Sequence, residues 1–194
     1  NVINIKNPRI YFGLETNKTI VTNSKNKNEF DYPKNENSDL DNATNSYDGE
    51  AGLKLNTLDR MILAFSNGDI NLAFSNNINE NSKILTNRNV IERAKKIMPY
   101  LTYDNSPYLV ITNEGNLVWV IDAYTTSKYY PYSQKSNING QEINYIKNSV
   151  KVLVDAYNGK VEFYITDRTD PIAMAYNKAF PDVFMDIDKE IPSE

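Results

Sequence analysis

The sequence predicts an α+β fold, in which a mostly antiparallel sheet built from hairpins has helices packed on one face. Two observations carry this prediction. Apolar and polar residues alternate around Gly- and Asn-containing turns after residue 107, whereas helical periodicity is confined to residues 57–99 and to the C-terminal end. The composition, with 40% hydrophobic and 24% charged residues, is that of a globular protein.

With 194 residues, the chain is long enough for one sizeable core, with room for a lobe beside it. We expect one domain over residues 1–194, in three parts. Residues 1–54 hold a β hairpin and a long polar loop, residues 55–99 are helical, and residues 100–194 form antiparallel hairpins and a final helix. In the first part, strands at 9–15 and 19–24 flank a turn at 16–18. Residues 25–52, rich in Asn, Asp and Ser, have the composition of a surface loop.

Capping signals delimit the helices. The first begins at residue 57 and ends at Gly68, and Asp69 caps a short second helix at 70–75. The third begins after Asn89, with Glu92 completing a pair typical of a capping box, and ends at Pro99. The apolar stripe of the first helix is Leu58, Met61, Ile62 and Phe65.

The strands after residue 107 are predicted from turn chemistry. A turn at 113–116 joins strands at 108–112 and 117–124, and a turn at 125–127 leads to an edge strand at 128–134 that contains Pro131. The dipeptide Asn158-Gly159 is typical of a type I′ turn, so it joins strands at 149–157 and 160–166. Asp170-Pro171 then starts the final helix.

Missing residue types exclude whole classes of chemistry. The chain has neither Cys nor His, which excludes thiol nucleophiles, thiolate metal sites and catalytic triads that use His. The net charge is −4 and no run of Lys or Arg occurs, so we expect no nucleic-acid partner. No cofactor motif is present.

No run of 18 or more apolar residues occurs, so we expect this fragment to be soluble and not to cross a membrane. The chain starts at Asn1 without an initiator Met, as if it were cut from a longer protein.

Asp122 and Asp155 each stand in an Asp-Ala-Tyr tripeptide after an apolar run. One interpretation is a pair of catalytic carboxylates, as in glycoside hydrolases. The interpretation we favour is that each Asp ends a strand and accepts N–H bonds from the turn after it. The pair is therefore the one to test only if the protein is an enzyme, which the sequence does not decide.

Carboxylates are also concentrated in the polar loop, where they suggest a calcium site. The EF-hand pattern fails, because Ala43 and Thr44 follow Asp39 and Asp41 at the next ligand and Gly positions. We expect a solvated loop and no metal site. The carboxylates concerned are Asp31, Glu36, Asp39, Asp41, Asp48 and Glu50.

Tyrosine is abundant, with 14 residues concentrated in the second half. A Tyr ring offers a broad apolar surface and a hydroxyl, which suits contact with a glycan, peptide or protein. Packing within the sheet is the alternative, because aromatic residues favour strands. The candidate binding residues are Tyr124, Tyr129, Tyr130, Tyr132 and Tyr157.

Nearly the whole chain resembles an uncharacterised (UPF-type) family of bacterial multi-pass membrane proteins. The resembling stretches, in order, are NPRIYFG, FDYP with YDGEAG downstream, RMILAFSNGDINLAFS, RNVIERAKKIMPYLTYDNSPYLVI, WVIDAYTTSKYYPYSQ and INYIKNSVKVLVDAYNGKVEFYITDRTDPI. The resemblance implies a large extracytoplasmic domain that follows several transmembrane helices in the full-length protein. It implies no activity and no catalytic residues.

These observations lead to one expectation and two alternatives. We expect a non-catalytic extracytoplasmic domain that binds an envelope glycan, a peptide or a partner protein. The alternatives are a cell-envelope hydrolase that uses carboxylates, and a sensory domain coupled to membrane helices.

Overall fold

The computed structural model describes residues 5–25, 29–33, 42–54, 56–68, 78–138, 140–186, 188 and 191. The fold is α+β and dominated by antiparallel sheet, as predicted. The chain divides into two compact units, one made of residues 1–17 with 87–194 and the other of residues 18–86.

The described strands of the larger unit are β5 (Thr102–Tyr103), β6 (Tyr108–Ile111), β7 (Leu117–Ser127), β8 (Ser136–Ile138), β9 (Gln141–Ile143), β10 (Tyr145–Asp155) and β11 (Val161–Ile165). Five of them form an antiparallel sheet with the order β11-β10-β7-β5, in which β6 also pairs with β7. A separate hairpin, β8–β9, and two helices are the other regular elements among the described residues of this unit.

One face of this sheet is fully covered. Val150, Val152 and Val154 of β10 are all 0% exposed, as are Ile121 and Ala123 of β7. Alternate residues of the same strands point to the other face, where Asp122 lies opposite Lys151. This second face mixes polar and apolar residues and is partly open, which matches the predicted alternation.

The two helices of the larger unit begin at the predicted caps. We name them α2 (Val90–Ile97) and α3 (Pro171–Ala179). The Asn89 side chain accepts N–H bonds from Ile91 and Glu92 at the start of α2. The Asp170 side chain accepts the N–H of Ile172 at the start of α3. Both predictions from capping residues are therefore confirmed.

The two predicted hairpins of the main sheet are present, but their turns and lengths differ from the prediction. β7 does not end at residue 124, because the β-branched pair Thr125-Thr126 continues it to Ser127. The connection between β10 and β11 is longer than a two-residue type I′ turn. Asp155 N–H bonds to the Lys160 carbonyl oxygen, and only Gly159 has a positive φ, of 65°.

The predicted edge strand at 128–134 is wrong. These residues form a loop between β7 and β8, in which Tyr132 has a φ of 60° that no strand allows. Pro131 has no N–H to donate, and the side chain of Asn144 bonds to the loop in place of a neighbouring strand.

The described residues of the smaller unit form two short antiparallel pairs and one helix. β1 (Ile20–Thr22) pairs with β4 (Lys83–Leu85), and β2 (Glu29–Pro33) pairs with β3 (Asn42–Asn45). The predicted hairpin of 9–15 with 19–24 is therefore wrong. β1 instead finds a partner strand with the apolar residues Ile84 and Leu85, both of which are 1% exposed.

Two further predictions concern the smaller unit. Residues 25–52 are not simply a loop, since the aromatic residues of FDYP favour a strand within this polar segment. Helix α1 (Thr57–Asn67) ends at Gly68 as predicted, but Met61, Ile62 and Phe65 of its stripe are exposed and Ala64 is buried. The predicted helix at 70–75 lies outside the described residues.

Candidate functional site

The tyrosine loop, which we define as residues 128–135 between β7 and β8, is the most exposed aromatic segment of the described chain. Tyr129 is 79% exposed, Tyr132 is fully exposed and Tyr130 is 39% exposed. The loop contains Lys at both ends and no acidic residue. Exposed aromatic rings in one short loop are a feature of binding surfaces, because their exposure to water costs free energy that contact with a partner would recover.

Asn144, which immediately precedes β10, holds the loop backbone. Its side-chain amide donates to the carbonyl oxygens of Tyr130 at 2.7 Å and Ser133 at 3.3 Å, and its Oδ1 accepts the Tyr130 N–H at 3.0 Å. The Ser133 hydroxyl donates to the Asn144 carbonyl at 2.7 Å. The Asn144 side chain therefore takes the place of the backbone hydrogen bonds that a neighbouring strand would supply. These bonds hold the loop backbone in the free chain, before any partner binds.

Ring contacts fix the tyrosines of the loop differently. The ring of Tyr130 stacks on that of Tyr145, with centroids 4.6 Å apart and planes 22° apart. The Lys128 ammonium lies 5.1 Å from the centre of the Tyr129 ring, a cation–π contact. Tyr130 is thus the ring at the base of the loop, whereas Tyr129 and Tyr132 project outward.

Tyr132 has a left-handed backbone conformation, with φ 60°. A residue with a Cβ in this region costs about 1–2 kcal/mol, and Gly or Asn would fit better. Such strain is commonly kept where a side chain has a function. The loop therefore combines an unfavourable backbone with a fully exposed ring at the same residue.

Below the loop lies a buried carboxylate that sequence reasoning recognised only as a helix cap. Asp170 is 0% exposed. Its Oδ1 accepts the Tyr145 hydroxyl at 2.8 Å, and its Oδ2 accepts the Thr125 hydroxyl. Thr125 is the residue that could have indicated this cluster in the sequence. It is polar but in register with Ile121 and Ala123 on the covered face, where its hydroxyl requires a hydrogen-bond partner.

The pKa values in this cluster follow from burial and hydrogen bonding. Burial alone would raise the pKa of the Asp170 carboxyl. The Thr125 and Tyr145 hydroxyls and the Ile172 N–H donate to this carboxylate, and together with the nearby Ser149 hydroxyl they outweigh burial and lower that pKa on balance. Burial and the bond to Asp170 raise the pKa of Tyr145 to about 12. Asp170 is therefore charged and Tyr145 is neutral at physiological pH, as donation to a carboxylate requires.

Asp122 does not end a strand. It lies in the middle of β7 on the open face of the sheet, where its Oδ1 is 2.6 Å from the Lys151 Nζ and 3.3 Å from the Asn148 Nδ2. The bond to Asp122 is the main reason why the pKa of Lys151 is raised. The carboxylate of Asp122 thus serves as a cross-strand ion-pair partner, in contrast to the turn role that we predicted.

Asp155 has the predicted turn role. It ends β10, and its Oδ1 accepts the N–H groups of Tyr157 at 2.8 Å and Asn158 at 2.7 Å. It also lines a cavity of ≈ 400 Å³ on the open face, together with Val118 and Leu153. Asp122 does not line this cavity.

The structure does not bring Asp122 and Asp155 together. Asp122 lies opposite Lys151, and Asp155 is four residues further along β10, a distance of about 14 Å at 3.4 Å per residue. Glycoside hydrolases place their two carboxyl groups about 5–9.5 Å apart. The geometry therefore gives this pair no shared cleft.

Of the other two candidate tyrosines, neither joins the loop. Tyr124 is half-buried on the open face of β7, opposite Thr102. Tyr157 is 7% exposed and packs edge-on against Tyr11 with ring centres 5.3 Å apart, so it contributes to the core. The predicted binding set thus separates into three exposed tyrosines and two that the fold places elsewhere.

Among the described residues, no group of three or more acidic side chains is arranged to hold a metal ion. Glu36, Asp39 and Asp41 of the predicted acidic loop lie outside the described residues. The helices in the described part of the chain are all too short or too polar to span a membrane.

Comparisons with known proteins identify the family. Residues 1–194 match the uncharacterised protein family UPF0182. A UPF0182 protein of Clostridium botulinum (strain Hall) is 49% identical over 196 residues, covering 100% of this chain and 21% of the relative. One from Clostridium tetani is 50% identical over 95% of this chain and 20% of the relative. One from Clostridium acetobutylicum is 47% identical over 99% of this chain and 20% of the relative.

No solved structure matches the chain. The chain spans about a fifth of the length of these relatives. The match over all residues and the identities near one half show that the chain belongs to the UPF0182 family.

Proposed function

We propose that this chain is a non-catalytic, extracytoplasmic binding domain of a bacterial membrane protein, and that it contacts an envelope component or a partner protein through the tyrosine loop. The observation that carries the proposal is an ordered loop that displays two highly exposed tyrosines, one of them with a strained backbone. Order in the free state lowers the entropic cost of binding, and exposed Tyr rings supply the contact area.

Photo-crosslinking in intact cells tests the binding role. The full-length protein would carry p-benzoylphenylalanine in place of Tyr132. The control has the same substitution at Tyr100, which is 57% exposed and packs on Phe180. We expect a discrete crosslinked product from position 132 that is weak or absent from position 100. The product should be lost when the neighbouring Tyr129 is changed to Ser. Equal products from both positions would contradict a specific role of the loop.

The cysteine-free sequence allows a direct test of location. Ser136 is exposed on β8, so Ser136→Cys in the full-length protein places one thiol on the surface of this domain. We expect a membrane-impermeant maleimide to label this variant in intact cells as fully as in lysed cells, relative to the parent protein. Labelling only after lysis would refute the extracytoplasmic location while leaving the binding role open.

A further inference from the structure

We infer that Asp170, acting through Tyr145, sets the conformation of the tyrosine loop. Two successive contacts link Asp170 to Tyr130 of the loop. The Asp170 Oδ1 accepts the Tyr145 hydroxyl at 2.8 Å, and the Tyr145 ring stacks on Tyr130 at 4.6 Å between centroids. What the loop does rests on the proposed function, but the connection itself is a property of the free chain.

Asp170 is a fixed anchor because it is bonded to two separate elements. The Ile172 N–H at the start of α3 donates to its Oδ1, and the Thr125 hydroxyl near the end of β7 donates to its Oδ2. The carboxylate is 0% exposed, so water does not compete for these bonds. Asp170 is therefore held by bonds to residues outside the tyrosine loop.

Tyr145 is held at both ends of its side chain. Its backbone lies in β10 opposite Ser127 of β7, and its hydroxyl is bound to Asp170. The ring between these two points presents a fixed surface to Tyr130. Removal of the hydroxyl alone would leave the stacking partner in place but free to turn about its side-chain bonds.

Asn144 and Tyr145 are adjacent in the chain and both hold Tyr130, one through its backbone and the other through its ring. Loosening of the ring should therefore weaken the backbone bonds at the same residue. The amide of Tyr130 reports this directly, since its N–H donates to the Asn144 Oδ1 and its exchange with solvent requires that bond to open.

Amide hydrogen exchange of the 194-residue chain tests the inference without a binding partner. In Tyr145→Phe we expect the Tyr130 amide to exchange about ten-fold faster, in line with the loss of a hydrogen bond to a charged group. The amide of Val152 in the core of β10 should not change. Tyr164→Phe is the matched control, because it removes another Tyr hydroxyl that donates to a carboxylate, at 3.2 Å from Glu162.

Substitutions of Asp170 test whether an acceptor for the Tyr145 hydroxyl is enough to protect the loop, with the Val152 amide again reporting general destabilisation. Asp170→Asn keeps an acceptor for Tyr145, whereas Asp170→Ala does not. We therefore expect the Asn variant to retain most of the protection of Tyr130 that the Ala variant loses. Unchanged Tyr130 exchange in Tyr145→Phe, or equal acceleration in Tyr164→Phe, would overturn the inference. Crosslinked products of equal strength from positions 132 and 100 would instead count against the proposed function alone.

Discussion

Replacement of Asp170 by Ala should destabilise the larger unit by about 3–5 kcal/mol. Loss of the cap on α3, whose Ile172 N–H is bonded at 2.9 Å, costs about 1 kcal/mol. The Thr125 hydroxyl, 0% exposed, would lose this acceptor and keep only a long contact of 3.5 Å to the Lys147 carbonyl oxygen, at about 1–3 kcal/mol. The Tyr145 hydroxyl would lose its bond to the carboxylate, but it is only partly buried and water can replace part of this, so we assign it about 1 kcal/mol.

Urea unfolding of the 194-residue chain, followed by far-ultraviolet circular dichroism, measures this loss. Asp170→Asn keeps the size, a cap and one acceptor oxygen, so its cost should be smaller, about 1–2 kcal/mol. Asp104→Ala is the control, because this half-buried residue accepts one N–H, from the exposed Ser106, and its loss should cost less than about 1 kcal/mol. A cost for Asp170→Ala no larger than that for Asp104→Ala would refute the reasoning.

The pH dependence provides an independent check. The pKa of Asp170 is lower in the folded chain than its ordinary value, so its charge contributes stability that is fully present above the unfolded pKa of about 3.9. That contribution is lost as the pH falls through the folded pKa. Asp167 also titrates in the acid range, because Lys147 and Thr169 lower its pKa to about 2. Comparison of the wild type with Asp170→Asn isolates the contribution of Asp170 to the pH dependence of stability. The difference in the free energy of unfolding between the two proteins should shrink below pH 4.

Three further substitutions test other parts of the structure by urea unfolding. Gly159→Ala should cost about 2–4 kcal/mol, because φ is 65° and the new Cβ would lie 2.6 Å from the buried Phe12 ring; a cost below 0.5 kcal/mol would contradict this packing. Asp122→Asn should cost less than about 1 kcal/mol, since the ion pair with Lys151 is partly exposed, and a cost above about 2 kcal/mol would indicate a buried role. Tyr132→Asn should stabilise the chain by about 0.5–1 kcal/mol by relieving the left-handed strain at this residue, whereas a loss of stability would show that the Tyr ring packs in the free chain.

Features of the fold that depend on neighbours in sequence were predictable. The cap at Asn89, the start of α3 at Pro171 and the hairpins of the main sheet rely on bonds or pairings between residues a few positions apart. The partner of β1 was not predictable in this way. β4 is more than 60 residues further along the chain, and local patterns do not choose among distant apolar segments.

The candidate site was predictable only in part, for the same reason. The tyrosines of the loop were evident from composition, but the residues that order the loop were not. Asn144 lies 14 residues from Tyr130, and Asp170 lies 25 residues from Tyr145 and 45 from Thr125. An Asp before a Pro signals a helix cap, and nothing adjacent to it in sequence indicates that its other oxygen faces the interior.

The repeated Asp-Ala-Tyr shows what alternation in a sequence determines and what it leaves open. In both copies the central Ala is 0% exposed, at 123 in β7 and at 156 after β10. In β7, alternation directs Ala123 to the core and Asp122 and Tyr124 to the open face. In the second copy Ala156 and Tyr157 lie in the turn after β10, and both are buried. The partners then depend on whether the strand continues. β7 runs on past Asp122, which meets Lys151 across the sheet, whereas β10 ends at Asp155, which is free to accept the N–H groups of the turn. The same three residues thus form an ion pair in one place and a turn in the other, and the chemistry of a short motif in this chain follows from the length of its strand.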